Sequence, residues 1–541
     1  MATVVTFGNR RIVEPGVYSA IKAKINSAPT DFSYGNVLII DTGENAGFGG
    51  GSGIQGELAN NLDSVYQFRT LNEFRHFVKG GMLWDLAEYL FIPDNNADGP
   101  QNVFYVKAAV TTAAKYKYTF DNGSFGFIAR DEGEVGNGET ANASDTEVRK
   151  GFGAILEHGT VDPSKYIIKF FEGSFKGVDA DGDPYDGISK EDAVPIIVAV
   201  SDEFATIEEL INWAKNSADF NARFKLDEAN TSGSGTITSN DYSNNSDLVL
   251  LSGGTDNYTP AAYDAVLNIL NEIDFTFALS LKNAENAQSI ENTKLTHALT
   301  VESEFKKFLF IGGGNNSLQF DGIGGSIESA QYFNSPFVVV VHSGFRVNLP
   351  FSPQKKDKSS VYSAAMALGR IAGLQPQVPG TFKTVRVKEW QHQLTQRERE
   401  RALQAGVLHF RYVPQLGYVI NQAINTLQKN TQLYLADGTS PEISIMRIAS
   451  QLNKEIVLNA RPIFIGGNLN ISSPADVKVF IEGYLTKKTA TSINDNLILR
   501  FEKVDVRQTQ DYYEVSYCFV ANGPLNKMFV TGFILDSNLT A

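Results

Sequence analysis

The sequence holds one cysteine, Cys518, which excludes a disulfide framework and a cysteine-ligated metal site. Histidine is nearly as scarce. His76, His158, His297, His342, His392 and His409 are scattered, with no H-E-x-x-H spacing to set two imidazoles on one helix face, so no metal ligands are assigned. Gly-Lys-Ser/Thr does not occur, which removes the Walker A phosphate cradle, and no nucleophile elbow is present. No catalytic residue and no cofactor site are assigned, and the chain reads as a non-enzyme. Long apolar runs are also missing: 337–341 is typical of the longest and is far too short to cross a bilayer. The start Met1-Ala2-Thr3 lacks the apolar core of a secretion signal, so a soluble protein made in a cytoplasm, without membrane insertion, is expected. Cationic stripes are absent too. The net charge is −14, and no Lys/Arg cluster interleaves with aromatics, so direct nucleic-acid binding is not expected.

What is present is ordinary folded-protein material in quantity. With 42% hydrophobic and 20% charged residues over 541 positions, the chain should fold into three or four domains. The stretch 496–541 carries three β-prone runs, 497–508, 512–521 and 528–535. In the middle run Tyr513, Val515, Tyr517 and Phe519 fall on one face and Glu514, Ser516 and Cys518 on the other, the period of a half-buried strand. The last run, with Met528, Phe529, Val530, Phe533 and Ile534, is apolar on both faces at a chain end and must be covered by something. Val4, Val5 and Phe7 make a short β-prone run at the other end. Each terminal strand could pair within its own subunit, the commoner fate, or be lent to the open sheet edge of a neighbour.

In chain order, 37–40 reads as a buried strand. Thr70-Leu71-Asn72-Glu73 is a capping box that starts a helix, a second helix spans 82–91, and 102–107 is the next strand, an α/β beginning. From 111 to 247 the texture changes to short strands rich in Asp, Asn, Gly and Ser, with a nearly apolar-free tract at 230–246; this reads as an inserted outer domain. A second capping box, Thr206-Ile207-Glu208-Glu209, opens its helix. The α/β texture resumes at 248, with a helix at 260–273, strands at 275–279, 308–311 and 337–341 alternating with helical stretches such as 290–299, and a small-residue helix at 364–374. An α+β region follows, with helices near 396–405, 420–428, 441–458 and 474–487 and a strand at 462–465.

Two motifs are weak. Gly51-Ser52-Gly53-Ile54-Gln55-Gly56 matches the dinucleotide G-x-G-x-x-G, but it begins about ten residues after its strand and no helix opens at it. Asp179, Asp181, Asp183 and Asp186 resemble the start of a calcium loop. Pro184 stands where glycine is needed and Lys190 where a bidentate glutamate is needed, which favours an acidic turn.

The order of several stretches resembles the sheath proteins of contractile phage tails and related injection machines. They are Glu14-Pro15-Gly16-Val17-Tyr18, the 70–78 helix with the 102–107 strand, Leu251-Ser252-Gly253-Gly254-Thr255-Asp256, 364–380, and the terminal strands ending Phe529-Val530-Thr531-Gly532-Phe533-Ile534. The resemblance spans most of the chain except 111–247. It implies a multidomain α/β (α+β) fold: an N-terminal arm 1–27, a central α/β domain from 28–110 and 248–385, an inserted β-rich outer domain 111–247, a C-terminal α+β inner domain 386–521 and a C-terminal arm 522–541. It further implies a helical homopolymer around a tail tube protein, bounded by baseplate and terminator proteins, assembled in host cytoplasm and carried in the virion, that contracts to drive the tube through a cell envelope. Arms bearing Val4, Val5, Phe7, Met528, Phe529, Val530, Phe533 and Ile534 would add strands to neighbours, swinging on hinges at Gly8, Asn9, Asn522 and Gly523. A sheath of a bacterial injection system is the alternative within the family, and an α/β nucleotide-binding enzyme using the glycine loop the distant one.

Overall fold

Val37–Asp41, buried at every position, lies inside an eight-stranded sheet with both faces covered. Across the sheet the order is Gly417–Ile420, Val407–Val413, Val338–His342, Phe308–Gly312, Phe277–Ser280, Val37–Asp41, Val103–Lys107 and Tyr66–Phe68. The six inner strands run parallel, and the outermost strand at each edge pairs antiparallel. The computed structural model describes residues 5–7, 10–12, 35–41, 65–78, 81–108, 110–132, 136–138, 140–141, 151–172, 175–176, 196–282, 286–313, 319–348, 355–428, 441–465, 473–489, 496–509 and 512–522.

Alternation along these strands feeds two cores. Val37, Ile39, Phe308 and Phe310 enter one, and Leu38, Ile40, Leu309 and Ile311 enter the other. Successive strand side chains point to opposite faces, so a strand buried on both sides must be apolar throughout. Helices Leu71–Val78, Gly81–Phe91 and Ser360–Ala372 cover the first face, and Pro260–Ile269 and Ile290–His297 the second. A Cβ at Gly369 would stand 2.1 Å from the Leu90 carbonyl oxygen, so the small-residue helix needs glycine where it crosses Gly81–Phe91. The capping box at Thr70 forms: its N–H donates to Glu73 Oε2 at 3.2 Å, and the Glu73 N–H donates to Thr70 Oγ1 at 3.2 Å.

After Val103–Lys107 the chain leaves this sheet, and its next strand there is Phe277–Ser280. One excursion sheet orders Ile196–Val200, Tyr166–Glu172, Phe152–His158 and Val249–Leu250; the other orders Phe224–Leu226, Gly123–Glu132, Val110–Phe120 and Thr255–Asn257. Their shared core is aromatic and separate, built on Phe125, Phe127, Phe152, Phe170, Phe220 and Phe224. Phe127 meets Phe170 edge to face with ring centroids 5.1 Å apart. Asn257 pairs with Val110, which leaves the two ends of the excursion side by side.

Several expectations from the sequence need correction. Residues 249–257, expected at the start of the second part of the central α/β domain, pair instead with Phe152–His158 and Val110–Phe120. Val407–Val413 and Gly417–Ile420, expected in the C-terminal unit, extend the central sheet, because Val407–Val413 lies parallel to Val338–His342. The expected helix at 420–428 is absent: Asn425 N–H donates to the Pro441 carbonyl and Thr426 N–H to the Val338 carbonyl, and these long-range bonds replace helical ones. Residues 462–465 are not a strand, since the helix Ile443–Phe464 runs through Pro462, although proline there gives up one helical hydrogen bond. The polar tract 230–246 is folded. Thr238 and Asp241 form a capping box for the helix Ser239–Asn245, Asp241 accepts from the Asp121 N–H at 2.7 Å, and Ile237 is buried. The chain is therefore a mixed helix and strand protein with several sheets and more than one core. The glycine loop 51–56 and the aspartates at 179, 181, 183 and 186 lie outside the described residues.

Candidate assembly site

The last core is organised by one long helix and a two-stranded ribbon. Ile443–Phe464 belongs to two cores at once: Ile443 and Met446 pack into the sheet core, while Ile448, Leu452 and Ile456, spaced by four on one face, pack under the ribbon. Arg447 is fully buried between them. Its guanidinium donates to the carbonyl oxygens of Ile371 at 2.9 Å and Leu374 at 2.8 Å and sits 5.1 Å above the Phe277 ring, and burial pulls its pKa down to about 9. Ser450 Oγ donates to the Lys306 carbonyl at 2.7 Å, Lys454 pairs with Asp274, and Arg461 meets Glu304 at 3.4 Å. The helix is thus fastened to the sheet along most of its length.

The second helix, Pro474–Lys488, starts from the capping box of Ser473 and Asp476 with Pro474 in its first turn, and points Val477, Ile481 and Leu485 inward. Glu455, with 1% of its side chain exposed, ties the two helices together: it receives Lys488 at 2.7 Å, Gln451 at 2.6 Å and the Tyr484 hydroxyl. A buried carboxylate is tolerated only with this many donors.

On these helices lies the antiparallel ribbon of Ile498–Thr509 and Tyr512–Ala521. The face expected inward is inward: Tyr513, Val515, Tyr517 and Phe519 pack on the helices beside Phe501 and Val506, and the Tyr517 hydroxyl donates to Asn453 Oδ1 at 2.6 Å. Burial raises the Tyr517 pKa. These side chains stay only half-buried, however, because two strands are too narrow to cover the helical platform. Among the described residues neither ribbon strand has a further strand on its outer edge, which is where another strand can add. Asn522 closes the base of the ribbon, its N–H donating to the Leu497 carbonyl at 3.1 Å and its Nδ2 to the Asn496 carbonyl at 3.2 Å. The single cysteine, Cys518, is exposed on the outer face.

Of the other residues assigned to the arms, Val5 and Phe7 lie on Val5–Phe7, which pairs antiparallel with Arg10–Ile12 of the same chain. Val4, Gly8, Asn9, Gly523, Met528, Phe529, Val530, Phe533 and Ile534 lie outside the described residues.

Sequence spacing missed a polar chain at the carboxyl end of the parallel strands. Ser326 Oγ lies 2.8 Å from His342 Nδ1, His342 Nε2 lies 3.0 Å from His392 Nδ1, and His392 Nε2 lies 4.0 Å from Glu398 Oε1. Burial first, then the neighbouring His392 and His409, push His342 down to about 3. No linear signal marks this cluster, since 50 residues separate the two imidazoles. Ser326 is fully buried, which denies a substrate access to its hydroxyl. Among the described residues, no group of three or more His, Cys, Asp or Glu is placed to hold a metal ion, and no helix is long and apolar enough to cross a membrane.

No family model matches the chain. It is 23% identical to the tail sheath protein of Bacillus phage SP01, over 98% of this chain and 97% of that protein. The sheath tail protein from Desulfitobacterium hafniense has the same fold at TM-score 0.57 and 13% identity, covering 93% of this chain and 100% of its own. A sheath tail protein from Listeria innocua follows at TM-score 0.52 and 13% identity, over 91% and 96%. The proteins it resembles in sequence and fold are tail sheath proteins. Along nearly its whole length the chain is thus similar in sequence to a phage tail sheath protein and in fold to two sheath tail proteins.

Proposed function

We propose that this chain is the subunit of a helical sleeve around a rigid tail tube, built on a baseplate and closed by a terminator, assembled in the host cytoplasm and carried in the virion. The sleeve contracts to drive the tube through the host envelope for genome ejection. The observation that carries the reading is the ribbon: two strands with no third strand on either outer edge among the described residues, over a half-covered aromatic face, in a chain similar over nearly its whole length to a phage tail sheath protein. Terminal strands from neighbouring subunits, 1–12 and 523–541, add to those edges, which pairs the backbone and widens the cover over Tyr513, Val515, Tyr517 and Phe519. Head-to-tail contacts that do not close on themselves generate a helical filament. A donated strand forms roughly five hydrogen bonds at about 1 kcal/mol each and buries three or four side chains at about 2 kcal/mol each, against ordering costs of about 1–2 kcal/mol per residue. One arm is near balance, and several arms per subunit hold a lattice. The phage relative favours a virion sheath over that of a bacterial injection device. In this reading the excursion 110–257 faces outward, and Gly8, Asn9, Asn522 and Gly523 absorb the backbone change of contraction.

Electron microscopy and sedimentation of the purified chain test the reading. Tubular polymers that enlarge with protein concentration are expected. A small closed oligomer at every concentration is the contrary result.

A further inference from the structure

At the edge of the central sheet, far in sequence from the ribbon strands, Arg411 stands out as a cation without an acceptor. It lies on Val407–Val413, and its guanidinium carbon sits 4.4 Å above the centroid of the Phe382 ring. Its Nε is fully buried without a hydrogen-bond partner, and among the described residues no oxygen accepts from either of its terminal nitrogens. Burying Nε without a bond is costly, while the terminal nitrogens are not buried and stay open to an incoming acceptor.

The neighbouring charges deepen the imbalance. Arg399, on the helix Gln396–Ala405, uses one terminal nitrogen on the Leu394 carbonyl at 2.8 Å, and its charge bears on Arg411. Burial first and then Arg399 lower the Arg411 pKa, and no carboxylate counters them. His409, also close, is held neutral by burial. The platform is equally unusual. Phe382 takes φ 62°, a left-handed conformation costly for an aromatic residue, and keeps 44% of its surface exposed. Two backbone hydrogen bonds hold the segment there: the Phe382 N–H donates to the Ile420 carbonyl at 2.8 Å, and the Ile420 N–H donates to the Lys383 carbonyl at 2.9 Å. An aromatic face that fixes a guanidinium plane leaves the in-plane N–H fork free for a carboxylate.

We propose that the Arg411 and Phe382 platform is an interface in the polymer, receiving a surface carboxylate of a second copy of this chain. The occupant follows from charge: the chain carries −14 overall, so this locally uncompensated cationic corner is complementary to the surface of its own copies. The proposal rests on the polymeric reading but not on the ribbon, whose strands belong to a different core.

The test compares wild type with Arg411→Gln and Arg411→Glu by sedimentation across protein concentrations, at about 0.1 M and about 1 M salt, with thermal melting to confirm folding. The proposal expects the critical concentration of wild type to rise with salt. It expects Arg411→Gln to raise that concentration about tenfold or more at low salt, to remove most of the salt dependence, and to leave melting unchanged. Arg411→Glu should assemble least. Should the charge reversal unfold the subunit, the neutral variant alone decides. Wild-type assembly by folded Arg411→Gln overturns this proposal and leaves the polymeric reading standing. A wild type that never polymerises overturns both.

Discussion

Arg447 donates to the carbonyl oxygen of Ile371 at 2.9 Å from a fully buried position, so the helix that carries the ribbon is bonded to the carboxyl end of the helix that covers the central sheet. Lys454 to Asp274 and Arg461 to Glu304 repeat the fastening further along. The ribbon and the sheet are joined by a strut, and under the proposed sheath reading the subunit is expected to move as nearly one body. Arg447→Ala should cost about 3–5 kcal/mol, since two buried carbonyls lose their donor and a cavity opens. Urea unfolding would show it as a lower midpoint, and a loss below about 0.5 kcal/mol would remove the strut from the account.

Glu455 makes the second joint, between the two helices under the ribbon. Lys488→Ala removes its nearest cation, 2.7 Å away, and leaves a buried carboxylate short of a donor. About 2–4 kcal/mol of stability should go with it. Lys478→Ala, whose 3.9 Å pair with Glu482 is solvated, should cost under about 0.5 kcal/mol.

The imidazole cluster predicts a pH dependence. The folded-state pKa of His342 is depressed to about 3 from its usual 6.5, so the unfolded chain binds more protons between those values and stability falls as pH drops through that window. The slope from this group is at most about 1.4 kcal/mol per pH unit. His342→Gln should flatten the acid limb of a melting-temperature profile between pH 6 and pH 4, with His392, His409 and Glu398, the other titratable groups around it, left in place. An unchanged limb would assign the acid sensitivity elsewhere.

The excursion should be removable whole but not in part. Asn257 lies opposite Val110, so a short glycine-serine linker can close the gap left by deleting 110–257. That variant should keep a folded central sheet and still polymerise. Shortening only 230–246 should instead lower the melting temperature, because Ile237 and the Thr238 and Asp241 capping box go with it. Loss of assembly by a folded full deletion would place the excursion in a lattice contact.

What was legible in the sequence was local or strictly periodic. The capping boxes at Thr70 and Thr206 act within four residues, and the inward face of Tyr513, Val515, Tyr517 and Phe519 follows from period two alone. What was misread depends on partners distant in sequence. Helical propensity at 420–428 lost to bonds from Asn425 and Thr426 to Pro441 and Val338, and Pro462 is carried inside a helix whose last turn Arg461 pins to Glu304. The polar composition of 230–246 hid a helix because caps and one buried isoleucine suffice to order it. His342 and His392 are brought together by the sheet, which no spacing rule reads.

The most direct measurement is the cryo-microscopy density around the ribbon Ile498–Thr509 and Tyr512–Ala521 in assembled protein. The account predicts a four-stranded sheet there, with one added strand along each open edge, contributed by the terminal segments of neighbouring subunits. A ribbon that remains two-stranded in the polymer, or that is completed only by its own subunit's termini, would contradict it.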